Sequence, residues 1–244
     1  MITAVVPTSP IPRHPDTGIL EETLDAIRHH LPHTEIMVTF DGVRDEQADR
    51  KADYDEYVRR CLNLFQTRYR NILPLLHDEH QHQTGLMRTA LEHIDTDLLL
   101  YVEHDTPLTT DPILWEQISR FIESRASDLV RFYHEATLQK AHRHMHHGRE
   151  HVLYERTSQW SQRPHLASTS FYRRIMADHF TPQAKSFIED RMHGVVDEAY
   201  KIRGRDGLDQ YRLHIYTPHE GSIQRSYHTD GRAGGPKFEE TMTF

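Results

Sequence analysis

The sequence predicts an α/β domain built on a mainly parallel sheet with helices on both faces. Two observations carry this. The first half alternates short apolar runs with segments of helical periodicity, and those runs are nearly continuous, as expected of strands covered on both sides. Polar residues also stand just beyond the carboxyl ends of the runs, where open parallel sheets bind ligands.

The elements follow in order. ITAVVPTSP (2–10) is a strand entering a loop closed by prolines. Residues 17–32 place Leu20, Leu24, Ile27 and Leu31 at helical spacing, with Thr17 as cap and Pro32 as stop. EIMVTFDG (35–42) is a second strand, and residues 45–69 form a charged, largely exposed helix. NILPLLHD (71–78) is a third strand. Residues 83–94 are a helix with Leu86, Ala90 and Ile94 on one face, and DLLLYVEHD (97–105) is a fourth strand. Beyond it the pattern is less regular. A helix is expected at 111–125, a strand at 128–136, a hairpin around His147-Gly148 within 138–160, and helices at 168–180 and 195–204. The glycine- and proline-bearing stretch at 233–244 predicts a mobile tail after a single domain, 1–232.

A chain of 244 residues buries enough surface to fold without a disulfide or structural metal. Its single cysteine, Cys61, excludes an intrachain disulfide framework and suits a reducing, cytoplasmic setting. No apolar run reaches the roughly 20 residues of a membrane span, and the N-terminus enters a strand directly, so neither membrane attachment nor a leader is expected. Mean hydropathy is −0.73. The net charge of −8 divides unevenly, −11 over residues 1–130 and +3 over 131–244.

The chemistry concentrates at Glu103-His104-Asp105, where the fourth strand stops. Thr106-Pro107 turns the chain there, so both carboxylates can approach one point instead of opposite faces. Paired carboxylates are hard oxygen ligands for Mg²⁺ or Mn²⁺, although solvated turn residues would look the same. Asp41-Gly42 ends the second strand and Pro7, Thr8 and Ser9 end the first.

In this order, the motifs resemble those of GT-A fold glycosyltransferases, which move sugars from nucleotide donors. The resemblance implies a Rossmann-like three-layer sandwich with a donor half (1–110) and an acceptor half (111–232). It implies that Glu103 and Asp105 form the acid-x-acid motif for a divalent metal, with Glu in place of the commoner Asp. Donor contacts are then expected from Pro7, Thr8, Ser9 and Asp41, and from Gly85 and Arg88 in TGLMRTAL. FIEDRMHG (187–194) resembles the acidic pair of inverting members, which makes Asp190 the general base beside Glu189. SYHTDGR (226–232) supplies His228 as a third metal ligand and Arg232 for the diphosphate. A mixed oxygen–nitrogen ligand set favours Mn²⁺ over Mg²⁺. Trp160 and Arg163 are candidate acceptor contacts.

The resemblance implies transfer from a nucleoside diphosphate sugar, UDP-linked in this reading, to an acceptor hydroxyl with inversion. The acceptor stays open: a small molecule, peptide or glycan, or a hydroxymethylated base in DNA. A non-catalytic nucleotide-sugar-binding protein and a sugar nucleotidyltransferase are the rivals. The latter normally carries a glycine-rich loop after its first strand, and PTSPIPRHP has no glycine. The tract His142–His151 could place His142, His144 and His146 on one strand face, as a metal tract or a solvated hairpin.

Overall fold

A computed structural model describes residues 1–218 and 221–229; the expected tail lies outside the described residues. The first half follows the expected order: β1 (Ile2–Thr8), α1 (Gly18–His30), β2 (Glu35–Phe40), α2 (Lys51–Thr67), β3 (Ile72–Leu76), α3 (His82–His93) and β4 (Leu98–Tyr101). A 3-10 segment, Asp45–Arg50, precedes α2, so residues 45–69 are not one continuous helix. β1 lies between β2 and β4 and pairs in parallel with both, and β2 pairs in parallel with β3.

Both faces of these strands are covered, which explains their continuous apolar runs. Ala4 and Val6 pack with Leu20, Leu24 and Ile27 of α1 on one face. Val5, between them in sequence, packs with Met87 and Ala90 of α3 on the other. β4 divides the same way, with Leu98 and Leu100 on the α1 side and Leu99 and Tyr101 on the α3 side. Each fully buried aliphatic side chain contributes about 1.5–3 kcal/mol. The result is the expected three-layer sandwich.

The second half comprises α4 (Trp115–Glu123), β5 (Leu129–Arg131), β6 (His146–His151), β7 (Tyr154–Thr157), β8 (His165–Ser168), α5 (Thr169–His179), α6 (Ile188–Arg203), α7 (Arg205–Leu208) and β9 (Leu213–Tyr216). All strands join one sheet in the order β3-β2-β1-β4-β8-β5-β9-β7-β6. β8 runs antiparallel to both β4 and β5, while β9 is parallel to β5, so the sheet becomes mixed where the sequence pattern loses regularity.

Three expectations need correction. The hairpin of β6 and β7 turns at residues 152–153, not at His147-Gly148; Gly148, at φ 91°, sits instead where the β6 register shifts. His142 and His144 lie in the 3-10 segment Lys140–Met145, so they do not share a strand face with His146. The helix expected at 195–204 begins at Ile188 and thus carries Glu189 and Asp190 in its first turn. β8 and β9 were not anticipated, because four-residue strands are too short to show a period. Among the described residues no helix is long and apolar enough to cross a membrane.

Candidate active site

β1, β2 and β4 are parallel, so their carboxyl ends meet at one edge. A cleft of about 320 Å³ opens there, lined by Pro7, Thr8, Ser9, Asp41, Glu103 and Asp105 among others. Six residues expected to contact donor or metal are thereby brought together from three strand ends. A second cleft, of about 820 Å³, lies at the opposite edge, around Asp128 and Ser168. Its most buried carboxylate, Asp128, is occupied by a bidentate pair with Arg212.

The turn after β4 forms as its sequence requires. Thr106 donates its backbone N–H to the Glu103 carbonyl at 3.0 Å, and its hydroxyl reaches the same carbonyl. The Glu103 and Asp105 side chains thus both reach the cleft. Glu103 is largely enclosed by protein: Oε1 accepts from Gln83 Nε2 at 2.6 Å and from the Tyr101 hydroxyl at 3.3 Å. Burial pushes its carboxyl up to about 8, and the charges of Asp105 and then Glu189 push the same way. Glu189, on α6, therefore stands near Glu103 although 86 residues separate them in sequence. His104, between the two acids, is buried and lines the cleft.

Asp41 is only 2% exposed. Its carboxylate accepts the backbone N–H groups of Gly42, Gln81 and His82 at 2.9, 2.6 and 3.1 Å, and His80 Nδ1 lies 2.7 Å from Oδ2. It therefore fixes the loop between β3 and α3. Gly42 permits this docking, since a Cβ there would overlap the Glu79 carbonyl carbon and the His80 amide nitrogen. His80 Nε2 in turn accepts from Arg44 Nε at 3.2 Å. The chain Asp41–His80–Arg44 holds a guanidinium at the cleft wall beside the N-terminus of α3, whose first N–H groups are already taken by the Asp41 carboxylate, His82 Nδ1 and the Ser186 carbonyl. His82 adopts φ 57°, uncommon for a residue other than glycine, and its ring meets the exposed Phe187 edge-on at 4.2 Å.

Other expected residues lie elsewhere. The Thr8 hydroxyl faces the core, 3.2 Å from the Tyr57 hydroxyl, so Thr8 lines the cleft by its backbone. Gly85 is in the first turn of α3, packed so closely on Gln81 that a Cβ would crowd that side chain. Arg88 is outside the cleft and donates to the Thr181 carbonyl at 2.8 Å. Asp190 is exposed, while Glu189 Oε2 accepts the backbone N–H of Gln162 at 2.8 Å. Trp160 is a core residue at 1% exposure, its indole donating to Gln162 Oε1. Arg163 forms a bidentate pair with Glu135. Residues 227–229 return beside the acid motif, with Thr229 N–H on the Asp105 carbonyl and Tyr227 N–H on that of Pro107. The His228 ring packs edge-on against His134 at 4.6 Å. Arg232 lies outside the described residues.

Among the described residues, no group of three or more His, Cys, Asp or Glu side chains is arranged to hold a metal. The expected trio Glu103, Asp105 and His228 thus does not close into a ligand set in this structure. The charge distribution does fit a cation: Asp105 and Glu189 are near enough to Glu103 to oppose its ionisation, and a divalent ion with hard oxygen ligands relieves that.

Arg44, His80, His82 and Gln83 were missed in the sequence. The signal for the last three was the polar run HDEHQHQ (77–83) at the carboxyl end of the third strand, and for Arg44 its place just after Asp41-Gly42 at the end of the second.

No protein-family model and no curated protein matches the sequence. Solved structures do. TarS of S. aureus is similar with a TM-score of 0.56 at 14% identity, over 93% of this chain and 36% of that one. Its 1–349 segment in complex with UDP-GlcNAc gives 0.55 at 13%, over 93% and 57%. The mannosyltransferase PcManGT of Pyrobaculum calidifontis, in complex with GDP-Man and Mn²⁺, gives 0.58 at 15%, over 92% and 55%. This chain therefore spans between about a third and three-fifths of the length of these proteins. At such identity the likeness concerns architecture: the chain has the GT-A glycosyltransferase fold.

Proposed function

We propose that the chain transfers a glycosyl group from a nucleoside diphosphate sugar to an acceptor hydroxyl, with inversion at the anomeric carbon. The observation that carries this reading is the meeting of Glu103 and Asp105, from the end of β4, with the first turn of α6 beside a cleft at the carboxyl edge of the sheet. The complexes of similar structures with UDP-GlcNAc and GDP-Man support a nucleotide-sugar donor, and we favour a UDP-linked one.

The donor's nucleoside lies against Pro7–Ser9 and the loop anchored by Asp41. Arg44 faces its diphosphate. Glu103 and Asp105 would hold a divalent ion, Mn²⁺ in preference to Mg²⁺, and the Mn²⁺ complex of the similar mannosyltransferase supports one. When bound, such an ion neutralises charge on the departing diphosphate. The exposed Asp190 carboxylate takes the proton of the acceptor hydroxyl as its oxygen bonds to the anomeric carbon and the bond to the diphosphate oxygen breaks. Glu189, tied to the Gln162 N–H, fixes the turn that presents Asp190.

The test is Asp190→Asn, with nucleoside diphosphate release followed over a panel of acceptors. Donor affinity by calorimetry should stay within about threefold of wild type while turnover falls about 10²-fold or more. Unchanged turnover would sink the base assignment. Tight nucleotide-sugar binding with no turnover in the wild type would instead establish a binding module.

A further inference from the structure

α6 lacks a side-chain cap of its own. Phe187 occupies its N-cap position and offers no hydrogen-bonding side chain, although the first N–H groups of a helix have no intrahelical partner. Ile188, the first helical residue, is fully buried, so an unpaired N–H there would be costly. The partner comes from another helix. Gln83 Oε1, in the first turn of α3, accepts the Ile188 N–H at 3.1 Å. The same amide donates from Nε2 to Glu103 Oε1 at 2.6 Å. Only one orientation of the amide satisfies both contacts, because the Ile188 N–H can only donate and so must meet Oε1, which leaves Nε2 for Glu103.

We infer that Gln83 is a positioning residue, setting the distance between the Glu103 carboxylate and the turn that carries Glu189 and Asp190. This rests on the glycosyl-transfer reading above. One side chain spans the two acidic elements, 20 residues from one partner and 105 from the other. Displacement by an ångström between reacting groups can cost about two orders of magnitude in rate, so a fixed tie at this place has a kinetic consequence.

The neighbouring Thr84 makes the role separable from folding. Its N–H donates to the Ser186 carbonyl at 3.2 Å, its hydroxyl donates to the Ala184 carbonyl at 2.6 Å, and it accepts the Ser186 N–H at 3.1 Å. Thr84 therefore keeps the segment before α6 docked on α3 when Gln83 is changed.

Two variants test this. Gln83→Met has similar length and makes neither hydrogen bond. Gln83→Glu keeps an acceptor for the Ile188 N–H but removes the N–H donor to Glu103. In Gln83→Met, amide exchange at 187–190 should rise about tenfold or more, with exchange at 196–203 unchanged. Donor affinity should stay within about threefold while kcat falls about tenfold or more. Gln83→Glu should restore slow exchange at 187–190 without restoring kcat. Unchanged exchange in Gln83→Met would overturn the inference, as would parallel losses of thermal stability, donor binding and kcat in both variants, which a merely structural role produces. An active wild type with an equally active Gln83→Met would overturn this inference alone. A wild type with no transfer to any acceptor would overturn the glycosyl-transfer reading and take this inference with it.

Discussion

The Asp41 carboxylate receives the backbone N–H of Gln81 at 2.6 Å, joining the end of β2 to the loop that opens α3. Truncation to alanine leaves this N–H and that of His82 without their partner. Asp41→Ala should therefore cost roughly 1–3 kcal/mol of stability, read as a lower midpoint in urea unfolding. Donor affinity should fall in the same variant, because the loop holds His80 and Arg44 at the cleft.

Gly42 is a close-approach glycine more than a turn glycine. Gly42→Ala should push the 79–82 loop off Asp41, since the clash is with backbone that has no side-chain freedom to yield. Loss of stability on the order of 1–3 kcal/mol is expected. Wild-type stability in that variant would show that the loop does not need this seat.

The two arginines separate the sequence expectation from the structure. Arg44→Ala should weaken donor binding by about tenfold with little change in melting temperature, as expected for an exposed cation facing a diphosphate. Arg88→Ala should do the reverse and cost about 1–2 kcal/mol through the lost bond to Thr181, with donor affinity kept. Calorimetric titration of both variants decides between them.

How far the site can be read from the sequence follows from particular residues. Glu103, Asp105, Asp41 and Pro7–Ser9 were legible because each follows a strand-like run, and parallel strands bring their carboxyl ends to one edge whatever the details of packing. Arg88 was expected at the donor from the resemblance of TGLMRTAL, a motif that does not say which neighbour the side chain meets, and it lies instead on the Thr181 carbonyl. Gln83 was invisible because both of its partners are distant in sequence and its role is a pair of hydrogen bonds, which leaves no periodic trace. β8 escaped for a similar reason: its four residues, His165–Ser168, run directly into α5. Yet β8 is the strand that connects β4 to β5, joining the first half of the sheet to the second.

β8 also carries a pH-sensitive group. His165 is fully buried; Nδ1 donates to the Arg163 carbonyl at 2.7 Å and Nε2 accepts from the Tyr172 hydroxyl at 2.5 Å. Burial lowers its pKa from 6.5 to about 4. Between those values the unfolded chain binds a proton that the folded chain refuses, so stability is full above pH 6.5 and falls as the pH drops towards 4. Roughly 2 kcal/mol should be lost from this group by pH 5. Urea unfolding at pH 7.5 and 5 should show a smaller difference for His165→Asn than for wild type. An identical difference would assign the acid sensitivity to other histidines.

The central claim is that the cleft at the carboxyl edge binds a nucleotide-sugar donor through Asp105 with a divalent ion. It is tested most directly by thermal shift over a panel of nucleotide sugars, with and without Mn²⁺, on wild type and Asp105→Ala. Ligand at about a hundred times its dissociation constant stabilises the folded state by about 2.7 kcal/mol. The predicted result is a rise in melting temperature of several degrees for one class of donor, dependent on Mn²⁺ and abolished in Asp105→Ala. No shift with any donor, or a shift that survives in Asp105→Ala, would contradict the claim.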